Sequence, residues 1–351
     1  MKRKLTTDDA IAAVWGGAIL GGGGGGFVAP GEQAARLAME MGTPELWSLD
    51  ELPPDAPTAT VALVGAPGAR NPLLVPAYLL RSLELLQQQL PAALAGFYAC
   101  ENGAEATLNG WMQSAATGRP VIDLACNCRA HPSSVMGAMG LHREAGYVGL
   151  HAYAGGRPAQ YVEGVVRGSL DGISSIVRHA SVQAGGAVAV ARNPVPLDYA
   201  ARHGSPGAVS LAIDLGRAFL DGGLEAAMRM LGASVVAEGT VRDCRCEQRA
   251  GLDHGRVLLD DAARTELLLI NEYMLLEQRG ERVAAFPDLL TTFGADGLPV
   301  ASADVKVGDR LRVLRAPAAR LPLAATMFMP ELYAHLEAML GKPFAPQPAS
   351  A

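Results

Sequence analysis

The sequence predicts an α/β domain followed by a β-rich domain, and two patterns support this fold class. In the first part, short apolar strands alternate with helical segments and lead into polar loops, which is typical of a parallel or mixed sheet. After Ser234, short apolar runs follow one another, mostly separated by segments that carry Gly, Asp or Pro. We expect an α/β domain at 1–168, a second domain at 169–343 that opens with a helical pair, and a disordered tail at 344–351.

The elements follow in order along the chain. Thr7 or Asp8 is placed to cap a first helix, and Gly42 to end a second one. The α/β domain is predicted to contain helices over 32–41, 78–90 and 104–116, and strands over 58–65, 96–100 and 120–124. The second domain is predicted to contain helices over 208–220 and 224–231, and strands over 187–191, 234–241, 256–259, 265–270, 273–278, 282–286 and 309–314.

Composition narrows the function classes. Half of the residues are hydrophobic and 18% are charged, which indicates a well-buried globular protein and excludes a disordered one. The net charge of −6 and the absence of a basic cluster argue against nucleic-acid binding, and no apolar run is long enough for a membrane span. The N-terminus does not have the pattern of a signal peptide, and five cysteines in 351 residues indicate free thiols. We therefore expect a cytoplasmic protein whose partner is a small-molecule substrate; whether it forms a homo-oligomer is left open.

Six consecutive glycines, Gly21 to Gly26, follow the first helix. Each glycine carries an entropic cost, so such a run suits a place where the backbone must approach a bound group closely. A dinucleotide fingerprint would need a strand before the run and a helix directly after it, and a helical pattern precedes it instead. We therefore expect no nucleotide cofactor. The run predicts a substrate-binding loop that uses the backbone of Gly22, Gly23, Gly24 and Gly25.

The densest group of reactive side chains follows the strand at 120–124. Asp123 ends this strand, and Cys126, Cys128, Arg129 and His131 follow within eight residues. A catalytic metal needs only three protein ligands, and the side chains of Asp, Cys and His are all suitable. In the alternative interpretation the two cysteines pack in a turn and the aspartate caps a neighbouring helix. We favour a functional site.

Further polar residues interrupt apolar segments at positions where a substrate could bind. Asn271 and Glu272 interrupt an apolar strand pair and are predicted to reach across from the β-rich domain. The alternative is a turn with Asn271 in a left-handed conformation and a solvated Glu272. The remaining candidates for substrate binding are Glu101, Asn102, Asn109 and Asn127, whereas Cys244 and Cys246 are assigned to packing.

The order of these segments resembles the S-methyl thiohydantoin desulfurases. The resemblance depends on the helix and glycine run, the Val64-Gly-Ala-Pro67 strand end, the segment from Pro120 to Pro132, and a later run over 271–311. It covers residues 8 to about 315. The resemblance implies an N-terminal α/β domain and a C-terminal β-rich domain with the site between them. It also implies removal of sulfur from a five-membered thiohydantoin ring bearing a propionate, as in ergothioneine degradation, to leave a hydantoin.

The chain departs from the pattern of many relatives in the segment after Asp123. Where those relatives have a second aspartate and a final glutamate, this chain has Ala125 and Ser133, and it has gained two thiols and an imidazole. The resemblance therefore carries over roles only for Asp123 and Arg129.

From these observations we expect a hydrolase that cleaves a C–S bond of a thiohydantoin or its S-methyl form and releases sulfide or methanethiol. Zinc or another divalent metal would be bound by Cys126, Cys128 and His131, with Asp123 as a further ligand or as the group that orients the imidazole. Without a metal, Cys128 would be a nucleophile activated by His131 and Arg129. The alternatives are a hydantoinase-like amidohydrolase that opens the ring and a non-enzymatic protein that binds a small cyclic amide.

Overall fold

The computed structural model describes residues 1–65, 73, 75–249 and 251–346, which form two β-sheets and eight α-helices. The predicted fold class is confirmed, because a mixed α/β sheet comes first and an antiparallel sheet follows. Ala66 and Pro67 of the strand-end motif lie outside the described residues. Within the described ranges, none of the helices combines the length and hydropathy that a membrane crossing requires.

The first sheet has nine strands in the spatial order β1-β2-β5-β4-β3-β8-β6-β7, with β9 added to the end of β5. The pairs between β2, β5, β4 and β3 are parallel, and the remaining pairs are antiparallel. The carboxyl ends of β4 and β5 therefore lie side by side, which positions the candidate site. The strands are β1 (Lys2–Lys4), β2 (Glu45–Trp47), β3 (Pro57–Gly65), β4 (Gly96–Ala99), β5 (Val121–Ala125), β6 (Gly149–Gly155), β7 (Val162–Gly168), β8 (Ala187–Pro196) and β9 (Ser205–Pro206).

The second sheet is antiparallel throughout and has the order β14-β13-β12-β11-β10-β17-β15-β16. Buried leucines, valines and aromatic residues on its inner face form a core of its own, which includes Leu267, Leu269 and Tyr273. The strands are β10 (Ser234–Arg249), β11 (Leu252–Asp260), β12 (Thr265–Ile270), β13 (Glu272–Gln278), β14 (Glu281–Ala285), β15 (Leu289–Phe293), β16 (Pro299–Val300) and β17 (Arg310–Ala316).

Two helices pack closely on each other through small residues. A Cβ on Gly16 would lie 1.8 Å from the carbonyl oxygen of Ala212, and one on Gly216 would lie 1.8 Å from that of Ala12, so only glycine permits this contact between α1 and α7. Helix α7 leads directly into β10. It thus joins the two halves of the chain, the first with the mixed sheet of β1–β9 and the second with the antiparallel sheet of β10–β17. The helices are α1 (Thr7–Leu20), α2 (Val28–Met41), α3 (Pro76–Gln87), α4 (Trp111–Thr117), α5 (Leu170–Gln183), α6 (Leu197–His203), α7 (Ala208–Leu231) and α8 (Ala334–Leu340).

Some boundaries differ from the predicted ones. Thr6, one residue earlier than expected, caps α1 and forms a capping box with Asp9. The predicted helix at 104–116 is divided into a short 3₁₀ turn and α4, while the two predicted helices at 208–231 form one helix with a kink at Gly223. Phe344, expected in the tail, is buried, and its backbone amide donates to Glu337; residues 347–351 lie outside the described part.

Candidate functional site

A cavity of about 600 Å³ lies at the carboxyl ends of β3 and β4. Its walls come from both halves of the chain, because Glu272 at the start of β13 and Asn271 just before it line the cavity together with Glu101 and His131. Helices α2, α3 and α4 close the other side. This size is typical of small-molecule sites.

Three potential ligand or catalytic groups meet in this cavity. His131 Nε2 lies 3.3 Å from a carboxylate oxygen of Glu101 and 3.6 Å from the sulfur of Cys100. The Glu101 carboxylate also accepts a hydrogen bond of 3.2 Å from the backbone amide of His131, which fixes the loop after β5 against the end of β4. The donor atoms of the three residues all lie within 4.8 Å of one another, close enough to bind a single divalent metal ion.

The surroundings of Cys100 favour a thiolate. Arg192, on β8, donates a hydrogen bond of 2.9 Å from its Nη2 to the sulfur of Cys100. A hydrogen bond from Cys126, together with the charges of Arg192 and His131, outweighs burial and lowers the pKa of Cys100 well below its usual 9.0. The pKa of Cys126 is raised well above 9.0, chiefly by burial, so this thiol stays protonated and can donate. Cys100 therefore has the properties of an activated cysteine.

The acids and the imidazole of the cavity all have raised pKa values. Burial raises the pKa of Glu101 to about 7. Burial and the nearby charge of Glu101 together raise the pKa of Glu272 to about 8. Burial opposes the charge of His131, but Glu101 and Cys100 outweigh it and raise the pKa of His131 to about 9. The site thus combines a thiol whose deprotonation is favoured with an imidazolium and two carboxyl groups that can exchange protons near neutral pH.

Glu272 and Asn271 differ in their contacts. Glu272 is 1% exposed, and its Oε2 has no hydrogen-bond partner among the described residues, so this oxygen is available to a ligand in the cavity. Asn271 adopts the left-handed conformation of the alternative interpretation (φ 55°), and its side-chain oxygen accepts from the backbone amide of Asp253. Both line the cavity, and Glu272 is buried rather than solvated.

The glycine loop contacts both halves of the chain mainly through its carbonyl groups. The carbonyl of Gly22 accepts from the amide of Tyr273, that of Gly23 from Ser302, and that of Gly25 from the amide of Glu105. Of the four glycines predicted to bind substrate, only Gly25 is among the described residues that line the cavity. The others permit close packing: a Cβ on Gly24, for example, would lie 2.2 Å from a carboxylate oxygen of Glu272.

Arg129 is fully buried behind the cavity wall. Its guanidinium donates to the backbone carbonyls of Pro287 and Asp288 and lies 4.6 Å from the ring centre of Phe286. Burial lowers its pKa to about 10, although the charge of Glu272 partly opposes this shift. Arg129 thus connects the loop after β5 to the second sheet and provides a positive charge near Glu272.

The structure does not place the predicted metal and nucleophile residues together. Cys128 packs against Ile19, Leu20 and Leu289, and burial raises its pKa to about 12, which keeps it a neutral thiol. Cys126 contacts the Thr60 hydroxyl at 3.2 Å, and neither cysteine belongs to the ligand group around His131. The structure therefore does not bring Cys126, Cys128 and His131 together as one ligand group; the potential ligand atoms near His131 belong to Cys100 and Glu101. The reason is that the chain turns after β5, so that the thiol of Cys128 faces the core beside α1.

Asp123 also follows the alternative interpretation. Its carboxylate accepts hydrogen bonds from the amide and the hydroxyl of Ser210 in the first turn of α7, and it is not among the described residues lining the cavity. It caps a helix and is not placed to act on a bound ring.

The predicted asparagines are divided between support and site. Asn102 donates to the carbonyls of Cys128 and Ala208, and the Asn127 side chain accepts from the amide of Ala324, so both hold loops together. Asn109 lines the cavity.

Sequence reasoning missed Cys100, Arg192 and Arg178, all of which line the cavity. Cys100 directly precedes Glu101 at the same strand end, and Arg192 interrupts an otherwise apolar strand. Both signals were present in the sequence. What it lacked was the pairing of β8 with β3, which brings Arg192 to the sulfur.

Comparisons with known proteins agree with this architecture. A crystal structure of a protein from Chromobacterium violaceum is similar to the chain with a TM-score of 0.75 and 22% identity, over 99% of this chain and 100% of that one. No curated protein matches the chain. The family description "S-Me-THD-like, N-terminal domain" matches residues 8–153, and "S-Me-THD-like, C-terminal domain" matches residues 169–324. The chain therefore belongs to the S-Me-THD-like family.

Proposed function

We propose that this protein hydrolyses the C–S bond of a thiohydantoin-type ring, with Cys100 as the nucleophile. The observation that carries this proposal is the contact of the Cys100 sulfur with both Arg192 and His131 inside a ligand-sized cavity. Membership of the S-Me-THD-like family supports the class of substrate. Arg192 and His131 stabilise a thiolate and so supply the activation that nucleophilic catalysis needs.

In the first step the thiolate of Cys100 attacks the ring carbon that carries the sulfur. The C–S bond to the methylthio group breaks, and methanethiolate takes the proton of the His131 imidazolium and leaves as methanethiol. The ring remains bound to Cys100 through a new C–S bond. An unmethylated thiohydantoin would release hydrosulfide by the same route.

In the second step water attacks the same carbon. The neutral His131, held by Glu101, accepts a proton from this water, and the bond to Cys100 breaks. The hydantoin carbonyl forms and the thiolate is restored. One water is consumed and one thiol is released per turnover. Glu272, protonated near neutral pH because its pKa is raised to about 8, can donate a hydrogen bond to a ring oxygen or nitrogen.

Zinc at Cys100, Glu101 and His131 is the competing mechanism for the same reaction. The separations of 3.3 and 3.6 Å between donor atoms suit a tetrahedral ion. A bound zinc would polarise the substrate sulfur or activate water. The guanidinium of Arg192 already compensates the negative charge of a thiolate at Cys100, and we therefore favour the mechanism without a metal.

The deciding experiment incubates purified protein with thiohydantoin and S-methyl thiohydantoin while sulfide, methanethiol and hydantoin are measured. We expect Cys100→Ser to abolish release of the thiol and Cys128→Ser, the matched control, to retain it within a few-fold. A carbamoyl amino acid as product would instead indicate a ring-opening amidohydrolase, and binding without turnover a non-enzymatic binding protein. Zinc near one equivalent that disappears in Cys100→Ser, together with inhibition by chelators, would contradict the nucleophile mechanism.

A further inference from the structure

The cavity has a polar end and a larger apolar end. Cys100, Glu101, His131 and Glu272 form the polar end. Towards β3 and helices α2, α3 and α4 the described lining side chains are mostly hydrocarbon, and they include Ala34, Leu37, Leu63, Leu79, Leu108 and Met112. A volume of about 600 Å³ lies in the range that takes up drug-sized ligands, roughly 300–1,000 Å³, and a single five-membered ring fills only a small part of it.

The two arginines among the described lining residues lie at the polar end. Arg192 donates to Cys100, and Arg178 donates to the carbonyl of Gly251 and interacts with the charges of Glu101 and Glu272. The N-terminus of α2, another natural place for a carboxylate, is already faced by Glu105, which accepts from the amide of Phe27. Among the described lining residues no cation faces the apolar end.

We infer that the ring processed here carries a bulky apolar substituent, of the size of a benzyl or isobutyl group, rather than a carboxylate chain. The inference rests on the proposed function, because it assumes that the ring reacts at Cys100. With the ring held at the polar end, its substituent extends between α2 and α3 and contacts Ala34, Leu37 and Leu79. Each buried methylene should raise kcat/KM by about fourfold, since it contributes about 0.8 kcal/mol.

The test compares S-methyl thiohydantoins that differ only in the ring substituent: methyl, isobutyl, benzyl and propionate. We expect kcat/KM for the benzyl compound to exceed that for the propionate compound by at least about 100-fold, as apolar pockets discriminate between substrates. Ala34→Phe, which fills the apolar end, should reduce kcat/KM for the benzyl compound at least about tenfold and change the methyl compound little. Arg36→Phe is the matched control, because it adds the same ring to the exposed side of α2.

A binding measurement separates the two proposals. Calorimetry with the corresponding hydantoins, which carry no scissile C–S bond, reports the substituent preference without any turnover. Tighter binding of the propionate hydantoin than of the benzyl hydantoin, or an equal effect of Ala34→Phe on the methyl and benzyl compounds, would overturn the inference. Benzyl preference in binding with no release of thiol from any compound would refute the proposed function and leave the apolar site intact.

Discussion

Replacing Glu272 with glutamine should make the protein more stable at alkaline pH. The carboxylate is 1% exposed, and its Oε2 has no hydrogen-bond partner in the described part of the chain. Burial and the charge of Glu101 raise its pKa from 4.5 to about 8. Because the pKa in the folded state lies above that in the unfolded state, the associated stability is fully present below about pH 4.5 and is lost as the pH rises through about 8.

The size of the effect follows from this shift. Each pKa unit corresponds to about 1.4 kcal/mol, so the wild type should lose about 3 to 4 kcal/mol of unfolding free energy relative to Glu272→Gln between pH 5 and pH 8. Urea unfolding followed by tryptophan fluorescence at several pH values measures this difference. Glu281→Gln, at an exposed position on β14, is the control and should keep the pH profile of the wild type, because it retains Glu272. Parallel pH profiles for the wild type and Glu272→Gln would refute the reasoning.

Three further predictions concern the thiol, the loop and the cap. The rate of alkylation of Cys100 by iodoacetamide should rise less steeply between pH 6 and 9 than that of Cys246, because the pKa of Cys100 lies well below 9.0 and burial raises the pKa of Cys246 to about 11. Peptide mapping distinguishes the two thiols, and equally steep profiles would contradict a stabilised thiolate at Cys100. Gly24→Ala should destabilise the fold by about 1–3 kcal/mol in urea unfolding, since its Cβ would lie 2.2 Å from Glu272, and an unchanged midpoint would contradict this packing. Asp123→Ala should lower the unfolding free energy by about 1–2 kcal/mol through loss of the cap on α7 and should leave kcat/KM within about twofold of the wild type. A folded but inactive variant would show instead that Asp123 takes part in catalysis.

The β-rich half was the more predictable part of the fold. The run at 265–270 is apolar and ends at a polar interruption, and β12 has these bounds. The hairpin of β6 and β7 and the helix α5 were missed, because Gly149–Gly155 combines glycine with His and Tyr and shows no clear alternation. The local sequence pattern predicts strands well where paired strands follow one another along the chain, and poorly where pairing depends on distant segments.

The candidate site could be located but not resolved from sequence. The strand ends at 100–101 and 125–131 indicated the edge of the sheet at which the cavity lies, and the predicted candidates Glu101, His131 and Glu272 line that cavity. Which of the cysteines faces the cavity depends on how the chain turns after β5, and that turn is set by contacts with α1 and the second sheet. Spacing between residues alone contains no information about those contacts.

The glycine loop has a mechanical consequence for ligand exchange. Its carbonyl groups accept hydrogen bonds from the backbone amides of Tyr273 and Ser302 in the other half and from the Ser302 hydroxyl, so separating the halves would break these three hydrogen bonds at once. We therefore expect the two halves to move as one body during turnover. Substrate entry and product release would then depend on local adjustments of α2 and α3 at the cavity rim, and a rigid cross-link between the halves should leave the turnover rate unchanged.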